Sequence, residues 1–353
     1  MRGCRWTSFS SACRHCCRSC WSVRVADGIL AWQAGLWQLL AGRQQHAHAY
    51  LLHGPAGIGK RDFAERLMAL LLCQRPSLEG ACGACRGCQL LAAQTHPDHY
   101  ILEPEEVDKA IRVDQVRDLV DFITQTAQLG GRKVVLLEPA EAMNINAANA
   151  LLKSLEEPAG NTVLLLVSHQ PSRLLPTLKS RCVQQACPLP ERQQSLDWLL
   201  AKLPDLPEES RDELLALAAG SPLAALQLHG AGALQMRAQV IEGIKQLHKQ
   251  QQSPSQLAES WNALPLPLLF DWFCQWAHLI LCCQMAGDAV AAGAADMQKV
   301  VQYLAQKSSP AKVLALQEWL LAHRQKVLGK ANLNRVLLLE ALLVQWASLP
   351  GSR

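Results

Sequence analysis

The segment Gly54–Lys60 constrains the fold of this chain more than any other, because its sequence, GPAGIGK, has the spacing of a phosphate-binding loop. It follows the apolar run Ala49–Leu52, and a helical pattern of apolar residues continues from Phe63 to Leu71. A strand, a glycine-rich turn and a helix are the context in which backbone N–H groups cradle phosphates. The residues predicted to contact phosphate are Gly54, Gly57, Gly59 and Lys60.

The residue after Lys60 departs from this pattern. In a nucleotide-hydrolysing loop a Ser or Thr hydroxyl follows the lysine and binds Mg²⁺, but here the residue is Arg61. A guanidinium has no lone pair for a cation and brings positive charge to the place of Mg²⁺. The sequence therefore predicts a degenerate nucleotide site; a tight turn that only joins a strand to a helix is the plain structural alternative.

A second departure follows the apolar run Val134–Leu137. In phosphate-loop ATPases this strand ends in two acids, of which the first acts through Mg²⁺ and the second orients the attacking water. Glu138 keeps the first acid, but the second position is Pro139, which can neither accept a proton nor position water. Together with Arg61 this favours loss of ATP hydrolysis. Ser168, which ends the next apolar strand, is a further candidate to face a γ-phosphate.

Apolar runs alternate with helical patterns from Ala49 to Cys187. The predicted strands are 49–53, 98–102, 133–137, 163–168 and 183–187. Continuous apolar strands separated by helices predict a parallel sheet that is covered on both faces. After Pro190 the pattern is helical, with short helices to about residue 230 and longer ones beyond, so the expected fold is an α/β domain followed by all-α regions.

Two helical segments of the C-terminal half are distinctive. Leu264–Cys283 is the most apolar segment, but it contains Pro265, Pro267 and Asp271, so we expect a core helix and no membrane span. The segment Asn332–Trp346 predicts an amphipathic or buried helix. Its expected apolar side is formed by Leu333, Val336, Leu337, Leu339 and Leu342.

Four cysteines with the spacing C-x8-C-x2-C-x2-C follow the phosphate loop, namely Cys73, Cys82, Cys85 and Cys88. The two-residue separations let successive thiolates converge on one ion. Four thiolates without an open position favour structural Zn²⁺, with no chemistry of its own. An iron–sulfur cluster is the alternative, although Gln89 and Leu90 do not continue a ferredoxin pattern. His96 is close enough in sequence to replace one ligand; a solvated loop histidine is the plainer interpretation.

Charge separates the N-terminal segment from the rest of the chain. The formal net charge is +4, but five Arg and no acidic residue lie in the first 24 positions, which leaves 29 basic against 30 acidic residues elsewhere. The remainder, at −1, therefore gives no overall electrostatic reason to bind nucleic acid, and a DNA contact would need a local patch.

Residues 1–28 allow three interpretations. They could form an organellar targeting peptide, a second metal site on Cys13, Cys16, Cys17 and Cys20, or an unstructured extension that results from a start codon placed too far upstream. We favour the extension, with folded sequence beginning near Ile29. No stretch has the apolar core of a secretory signal, so we expect a reducing cytosol, where clustered cysteines indicate a metal.

Arg181 is the last candidate, in the segment Ser180–Cys182 after the short helical stretch Leu174–Leu178. An arginine there could be a solvated surface residue. It could also be an arginine finger, whose guanidinium stabilises charge on a phosphoryl group that is transferred in a neighbouring subunit.

In their order along the chain, these motifs resemble a known family. The set comprises the phosphate loop, the four-cysteine module, HPDHYIL at 96–102, IRVDQVR at 111–117, Ala147–Pro158 and Ser180–Cys182. Together they closely resemble the delta-prime subunits of the bacterial DNA polymerase III clamp loader, which are AAA+ proteins. The resemblance runs from about Ile29 to the C-terminus and is strongest over 49–182.

The resemblance implies three domains. These would be an AAA+ α/β domain at 29–187 with an inserted zinc module at about 73–97, a small helical lid at 188–230, and a helical collar at 231–353 that assembles a ring. It also implies a subunit that does not hydrolyse ATP, in agreement with Arg61 and Pro139. Leu223 stands where active relatives carry a sensing Arg. Arg181 is kept, and Lys60 leaves nucleotide binding open.

The function implied is that of a stator, which helps to load the sliding clamp onto primed DNA during replication and supplies Arg181 to a neighbouring ATPase subunit. Its partners would be the gamma/tau and delta subunits in a hetero-oligomeric ring, within a DNA-directed DNA polymerase holoenzyme in the cytoplasm, at the nucleoid. One alternative is an active AAA+ motor in which Glu138 or Glu141 supplies the acid. Another is a scaffold in which Arg181 is only an interface residue.

Overall fold

The computed structural model describes residues 28–106, 109–129, 131–286, 297–328 and 333–351. The three interpretations of residues 1–28 concern a segment of which residues 1–27 lie outside the described residues. The chain divides between Gly230 and Ala231 into two compact units.

Five parallel strands form one sheet in the first unit, in the order β2-β3-β4-β1-β5. The prediction of a parallel sheet is confirmed, and each strand has bounds within one residue of those expected. The strands are β1 (Ala49–His53), β2 (His99–Leu102), β3 (Lys133–Leu137), β4 (Thr162–Ser168) and β5 (Val183–Ala186). The apolar runs of β1, β3 and β4 are buried because both faces are covered, whereas the edge strand β5 is largely exposed.

Nine α-helices belong to the described part of the first unit. They are α1 (Ala34–Ala41), α2 (Lys60–Leu72), α3 (Arg86–Ala92), α4 (Val113–Thr124), α5 (Ile145–Glu156), α6 (Pro176–Lys179), α7 (Arg192–Lys202), α8 (Glu208–Leu217) and α9 (Pro222–Gly230). Short 3-10 turns lie at Ala31–Gln33, Ala140–Ala142 and Pro171–Arg173.

The two faces of the sheet bury separate cores, because alternate strand residues point in opposite directions. On one face Tyr50 and Leu52 pack in a cluster with apolar residues of α2. On the other face Ala49 and Leu51 pack with residues of α4 and α5. Asn144 precedes helix α5, and its side chain accepts a hydrogen bond from the Ala147 amide at 2.8 Å and so caps the helix.

The described part of the second unit is entirely helical. Its helices are α10 (Ala233–His248), α11 (Pro254–Ser260), α12 (Leu266–Ala286), α13 (Gln298–Lys307), α14 (Pro310–Leu328) and α15 (Arg335–Ala347). Helix α12 is, among the described residues, the one helix long and apolar enough to cross a membrane, and half of that stretch is buried inside the unit. Its Phe273 ring lies 5.2 Å from Trp276 and 4.9 Å from Trp346 of α15, as in a core helix.

The apolar side predicted for α15 is partly wrong. Leu337 is 62% exposed, whereas the neighbouring Leu338 is buried. The buried face consists of Leu338, Leu339, Leu342, Leu343 and Trp346. A run of leucines fills more of the helix circumference than the core can cover, so the sequence does not specify which leucine faces solvent.

Candidate functional site

The phosphate loop joins the end of β1 to the start of α2, as predicted. Gly57 has φ +75° and Gly59 has φ +83°, conformations that a side chain disfavours. Neighbouring side chains also leave no room there. A Cβ on Gly57 would lie 2.5 Å from the Cβ of Ala224 in α9, and a Cβ on Gly59 would lie 2.4 Å from Leu30. Packing against Ala224 therefore requires Gly57, whereas Gly59 is favoured chiefly by its positive φ, because the atom opposite it is a terminal methyl of Leu30.

The carbonyl groups of the loop bind donors of the same chain. The Lys60 ammonium donates to the carbonyl of Gly54 at 2.8 Å and to that of Pro55. The Leu223 amide, in the first turn of α9, donates to Gly57 at 3.0 Å. The Ile58 carbonyl accepts from the Trp32 indole at 3.0 Å and from the Gln33 side-chain amide at 2.9 Å. The loop is thus held in shape by the protein itself.

Lys60 is only 2% exposed. Burial lowers its pKa to about 8, although nearby Cys187, Glu138 and Glu141 act in the opposite direction. The ammonium still carries its charge at neutral pH, so a phosphate bound in the loop would find a positive group.

Arg61 lies in the first turn of α2, where a Mg²⁺-binding hydroxyl would stand, and contacts three carboxylates. Its Nε is 2.8 Å from Glu65, and its Nη1 is 2.8 Å from Glu103 and 3.2 Å from Glu138. Burial disfavours the charged guanidinium, but the carboxylates of Glu65, Glu138 and Glu103 outweigh this effect and raise the pKa of Arg61. The guanidinium therefore ties α2 to the ends of β2 and β3.

Glu138, which directly follows β3, is 8% exposed. Burial raises its pKa to about 7, against the opposing effect of Arg61. Its second oxygen lies 3.6 Å from Nε2 of His169, whose pKa is lowered by burial. The Glu141 carboxylate accepts hydrogen bonds from the backbone N–H of His169 at 2.8 Å and of Gln170 at 3.1 Å. Glu141 is therefore engaged in holding the end of β4.

Ser168 pairs with His53 in the register of β4 and β1, so it lies beside the start of the phosphate loop. It is fully buried, and its hydroxyl has no hydrogen-bond partner among the described residues. This position is the one expected for a side chain that faces a γ-phosphate. The predicted phosphate-binding residues thus lie together at the carboxyl ends of the strands, as a shared site requires; they are Gly54, Gly57, Gly59, Lys60 and Ser168.

The four predicted cysteines converge, and their ligand atoms all lie within 4.8 Å of one another. Cys73 and Cys85 have Sγ atoms 3.9 Å apart, and Cys85 and Cys88 have Sγ atoms 3.5 Å apart. Tetrahedral zinc with Zn–S bonds of about 2.3 Å would place its sulfurs about 3.8 Å apart, so the geometry fits. The Cys73 sulfur also accepts two backbone N–H bonds, from Arg75 and Cys82, each at 3.3 Å. The group can hold one metal ion.

His96 does not join this cluster. Its ligand atoms are not among those that converge with the sulfurs, and its Nδ1 accepts a hydrogen bond from the Asp98 amide at 3.1 Å. The interpretation of a solvated histidine is also wrong, because the residue is 5% exposed.

Arg181 precedes β5 and lies away from the phosphate loop of its own chain. Val183 pairs with Tyr50 in the register of β5 and β1, so Arg181 is level with the residues before β1. Its guanidinium forms an ion pair with Glu156 and donates to the Thr177 carbonyl at 2.8 Å. Its side chain is 32% exposed, so it can be reached from solvent.

Several residues of the site escaped the sequence analysis. The contact between Arg61 and Glu65 could have been predicted, because an acid four residues after an arginine lies on the same face of a helix. Glu103 follows β2 and Glu138 follows β3, and the two residues are neighbours because these strands pair in parallel. The sequence alone does not reveal that pairing. No sequence signal indicated that Leu223, Trp32 and Gln33 donate to the loop.

Two family profiles match the chain. A profile described as DNA polymerase III, delta subunit, matches residues 33–189, and one described as DNA polymerase III, delta subunit, C terminal, matches residues 231–348. Among solved structures, a gamma subunit-related protein of DNA polymerase III from Thermotoga maritima is similar, with a TM-score of 0.45 and 21% identity over 90% of this chain and 99% of that chain.

Relatives of known name are similar over nearly the whole sequence. DNA polymerase III subunit delta' of Pseudomonas aeruginosa is 71% identical over 327 residues, which cover 93% of this chain and 99% of the relative. The subunit delta' of Escherichia coli is 35% identical over 84% of this chain and 88% of the relative. The chain therefore belongs to the family of delta-prime subunits of DNA polymerase III.

Proposed function

We propose that this chain is a stator of the DNA polymerase III clamp loader, which does not hydrolyse ATP itself and helps to load the sliding clamp onto primed DNA. The observation that carries the proposal is the ion pair between Arg61 and Glu138. A guanidinium occupies the first turn of α2, and the acid that would act through Mg²⁺ binds that guanidinium. Pro139 removes the acid that would orient water.

The same proposal assigns a role in trans to Arg181. The register of β5 and β1 places Arg181 beside residue 48, six residues before Gly54. At about 3.3 Å per strand residue, Arg181 and Gly54 are separated by roughly 20 Å along the strand direction. This separation supports a role for Arg181 on the nucleotide of another subunit. The ion pair with Glu156 is partly exposed and is worth at most about 1 kcal/mol, so release of the guanidinium costs little.

An exposed leucine stripe supports the proposed ring. Leu314, Leu321 and Leu328 are spaced by seven residues along α14 and are 51%, 46% and 46% exposed. Seven-residue spacing places them on one side of the helix, the arrangement by which helices pack against one another. We assign this stripe to the helical domain of a neighbouring clamp-loader subunit, with residues 231–353 as the collar and 188–230 as the lid.

The partners in this proposal are the gamma/tau ATPase subunits and the delta subunit, and the sliding clamp and primed DNA are reached through the complex in the cytoplasm. The four cysteines hold structural Zn²⁺. An active motor is the second candidate, favoured by the retained Lys60 and Glu138. A scaffold in which Arg181 is only an interface residue is the third.

The first test is steady-state ATP turnover by the purified chain alone, with Mg²⁺, with and without primed DNA. We expect no turnover above that of Lys60→Ala, because Arg61 takes the place of the hydroxyl that binds Mg²⁺. Turnover that disappears in Lys60→Ala would contradict the stator and identify a motor.

Arg181→Ala tests the role in trans within the reconstituted clamp loader. We expect loss of the DNA-stimulated ATP turnover at the site that Arg181 serves, because an arginine finger contributes about 10³-fold or more to turnover at its site. Arg173→Ala, which removes an exposed arginine in the 3-10 turn Pro171–Arg173, is the control. Normal turnover in an Arg181→Ala complex that assembles normally would favour the scaffold.

Leu314→Asp combined with Leu321→Asp tests the collar interface. Both side chains are exposed, so we expect the Tm of the isolated chain to change by no more than about 2 °C. Assembly with the partner subunits should weaken at least about tenfold, measured by size-exclusion chromatography over a dilution series. Ala315→Asp with Ala322→Asp introduces the same charges on the same helix, about 100° around its axis. Equal effects of the two pairs would contradict the interface.

Elemental analysis tests the metal. We expect one Zn²⁺ per chain, lost in Cys82→Ser together with several degrees of Tm, because a structural zinc contributes to folding. Cys282→Ser, outside the cluster, is the control. Iron in place of zinc, with visible absorbance, would indicate the iron–sulfur alternative.

A further inference from the structure

The environment of Arg61 differs from that of an ordinary salt bridge. Two nitrogens of one guanidinium contact three carboxylates, which come from α2, from the end of β2 and from the end of β3. Glu65 and Glu138 are 3% and 8% exposed, so two of the three acids are largely removed from water. Buried carboxylates are costly unless a positive charge compensates them.

Lys60, the neighbouring cation, does not bond these acids. Its ammonium donates to the carbonyls of Gly54 and Pro55 instead. Among the ion pairs of the described residues, Arg61 is the cation that contacts all three acids; Nε2 of His169 lies 3.6 Å from Glu138, but burial lowers the pKa of this imidazole. Three carboxylates that converge beside a phosphate loop are oxygen ligands of the type that divalent cations prefer.

We propose that Arg61 is the resident cation of this site, in the place of a divalent ion, so that the fold of the first unit does not depend on Mg²⁺. The inference deepens the proposed function, on which it rests, by assigning to one residue the reason why the site is independent of metal. Its consequence is specific: without Arg61, the cluster of Glu65, Glu103 and Glu138 becomes a divalent-cation site.

A purely structural salt bridge predicts something different. Loss of such a bridge would destabilise the protein, but the variant would not respond to Mg²⁺ or Ca²⁺. A resident cation predicts both destabilisation and repair by an added ion. Ca²⁺ should repair more effectively than Mg²⁺, because Ca²⁺ accepts flexible geometry whereas Mg²⁺ demands a near-ideal octahedron.

The experiment measures the Tm of the full-length chain and of Arg61→Ala over a concentration series of Ca²⁺ and of Mg²⁺. A chelating resin removes free divalent ions from the buffer, and no soluble chelator is added, so the metal of the cysteine cluster stays in place. The unaltered chain should show no shift in Tm. Arg61→Ala should lose on the order of 5 °C and then recover with the logarithm of ion concentration, as binding to the folded state requires.

Three variants serve as controls. Arg61→Lys keeps the positive charge but lacks the planar guanidinium that contacts several carboxylates at once. We expect its Tm to lie between those of the unaltered chain and Arg61→Ala, without a response to Ca²⁺. Arg61→Ala combined with Glu103→Gln and Glu138→Gln removes the ligands and should abolish the recovery. Arg117→Ala removes an exposed ion pair with Asp114 and should change Tm by no more than about 2 °C, without a response to either ion.

Three results would overturn the proposal. They are an Arg61→Ala chain whose Tm is unaffected by both ions, an unaltered chain that the ions stabilise equally, and recovery that persists without Glu103 and Glu138. If Arg61→Ala does not fold in metal-free buffer, refolding with Ca²⁺ replaces the titration; recovery supports the proposal and failure rejects it. No nucleotide or partner subunit enters these measurements, so their outcome is independent of the turnover and Arg181 tests.

Discussion

Compensation of buried acidic charge at one edge of the sheet is the interaction on which this site depends. The carboxyl ends of parallel strands lie on the same side of the sheet, so Glu103 after β2 and Glu138 after β3 come close to each other. Both lie beside the first turns of α2, which contribute Glu65. Withdrawal of such groups from water costs several kcal/mol per ion unless hydrogen bonds and opposite charge compensate it. Arg61 supplies both, and its planar fork reaches acids from three elements at once. The residue that most clearly departs from an ATPase pattern is thus also the one that joins these elements.

Much of the fold could be predicted from the sequence because its signals are local. The five strands are continuous apolar runs, and the four cysteines are close neighbours along the chain. The contacts of the loop were not predictable, because Leu223 and Trp32 reach it from distant positions through backbone and indole groups that leave no pattern. The exposed face of α15 was mispredicted for a different reason, since a leucine-rich helix offers more apolar surface than its core covers.

The carboxyl ends and the amino ends of the parallel strands carry different chemistry. The phosphate loop, Ser168 and the cluster around Arg61 lie at the carboxyl ends of the strands, where α/β sheets commonly bind ligands. Arg181 lies before β5, at the amino ends of the strands. Its contacts with Glu156 and the Thr177 carbonyl are weak enough to be replaced by contacts with another group. The separation is compatible with the proposed division of roles, in which the phosphate loop does not hydrolyse ATP and Arg181 acts on another subunit.

Gly57 and Gly59 are confined by Ala224 and Leu30, and any added side chain would displace those neighbours. The packing around Gly57 and the positive φ of both residues therefore favour glycine at these positions, whether or not a nucleotide enters the loop. A motif search reads the same letters as a signature of ATP binding. In this chain the two glycines also let helix α9 and Leu30 approach the turn closely, so the motif has a structural role that does not depend on a nucleotide.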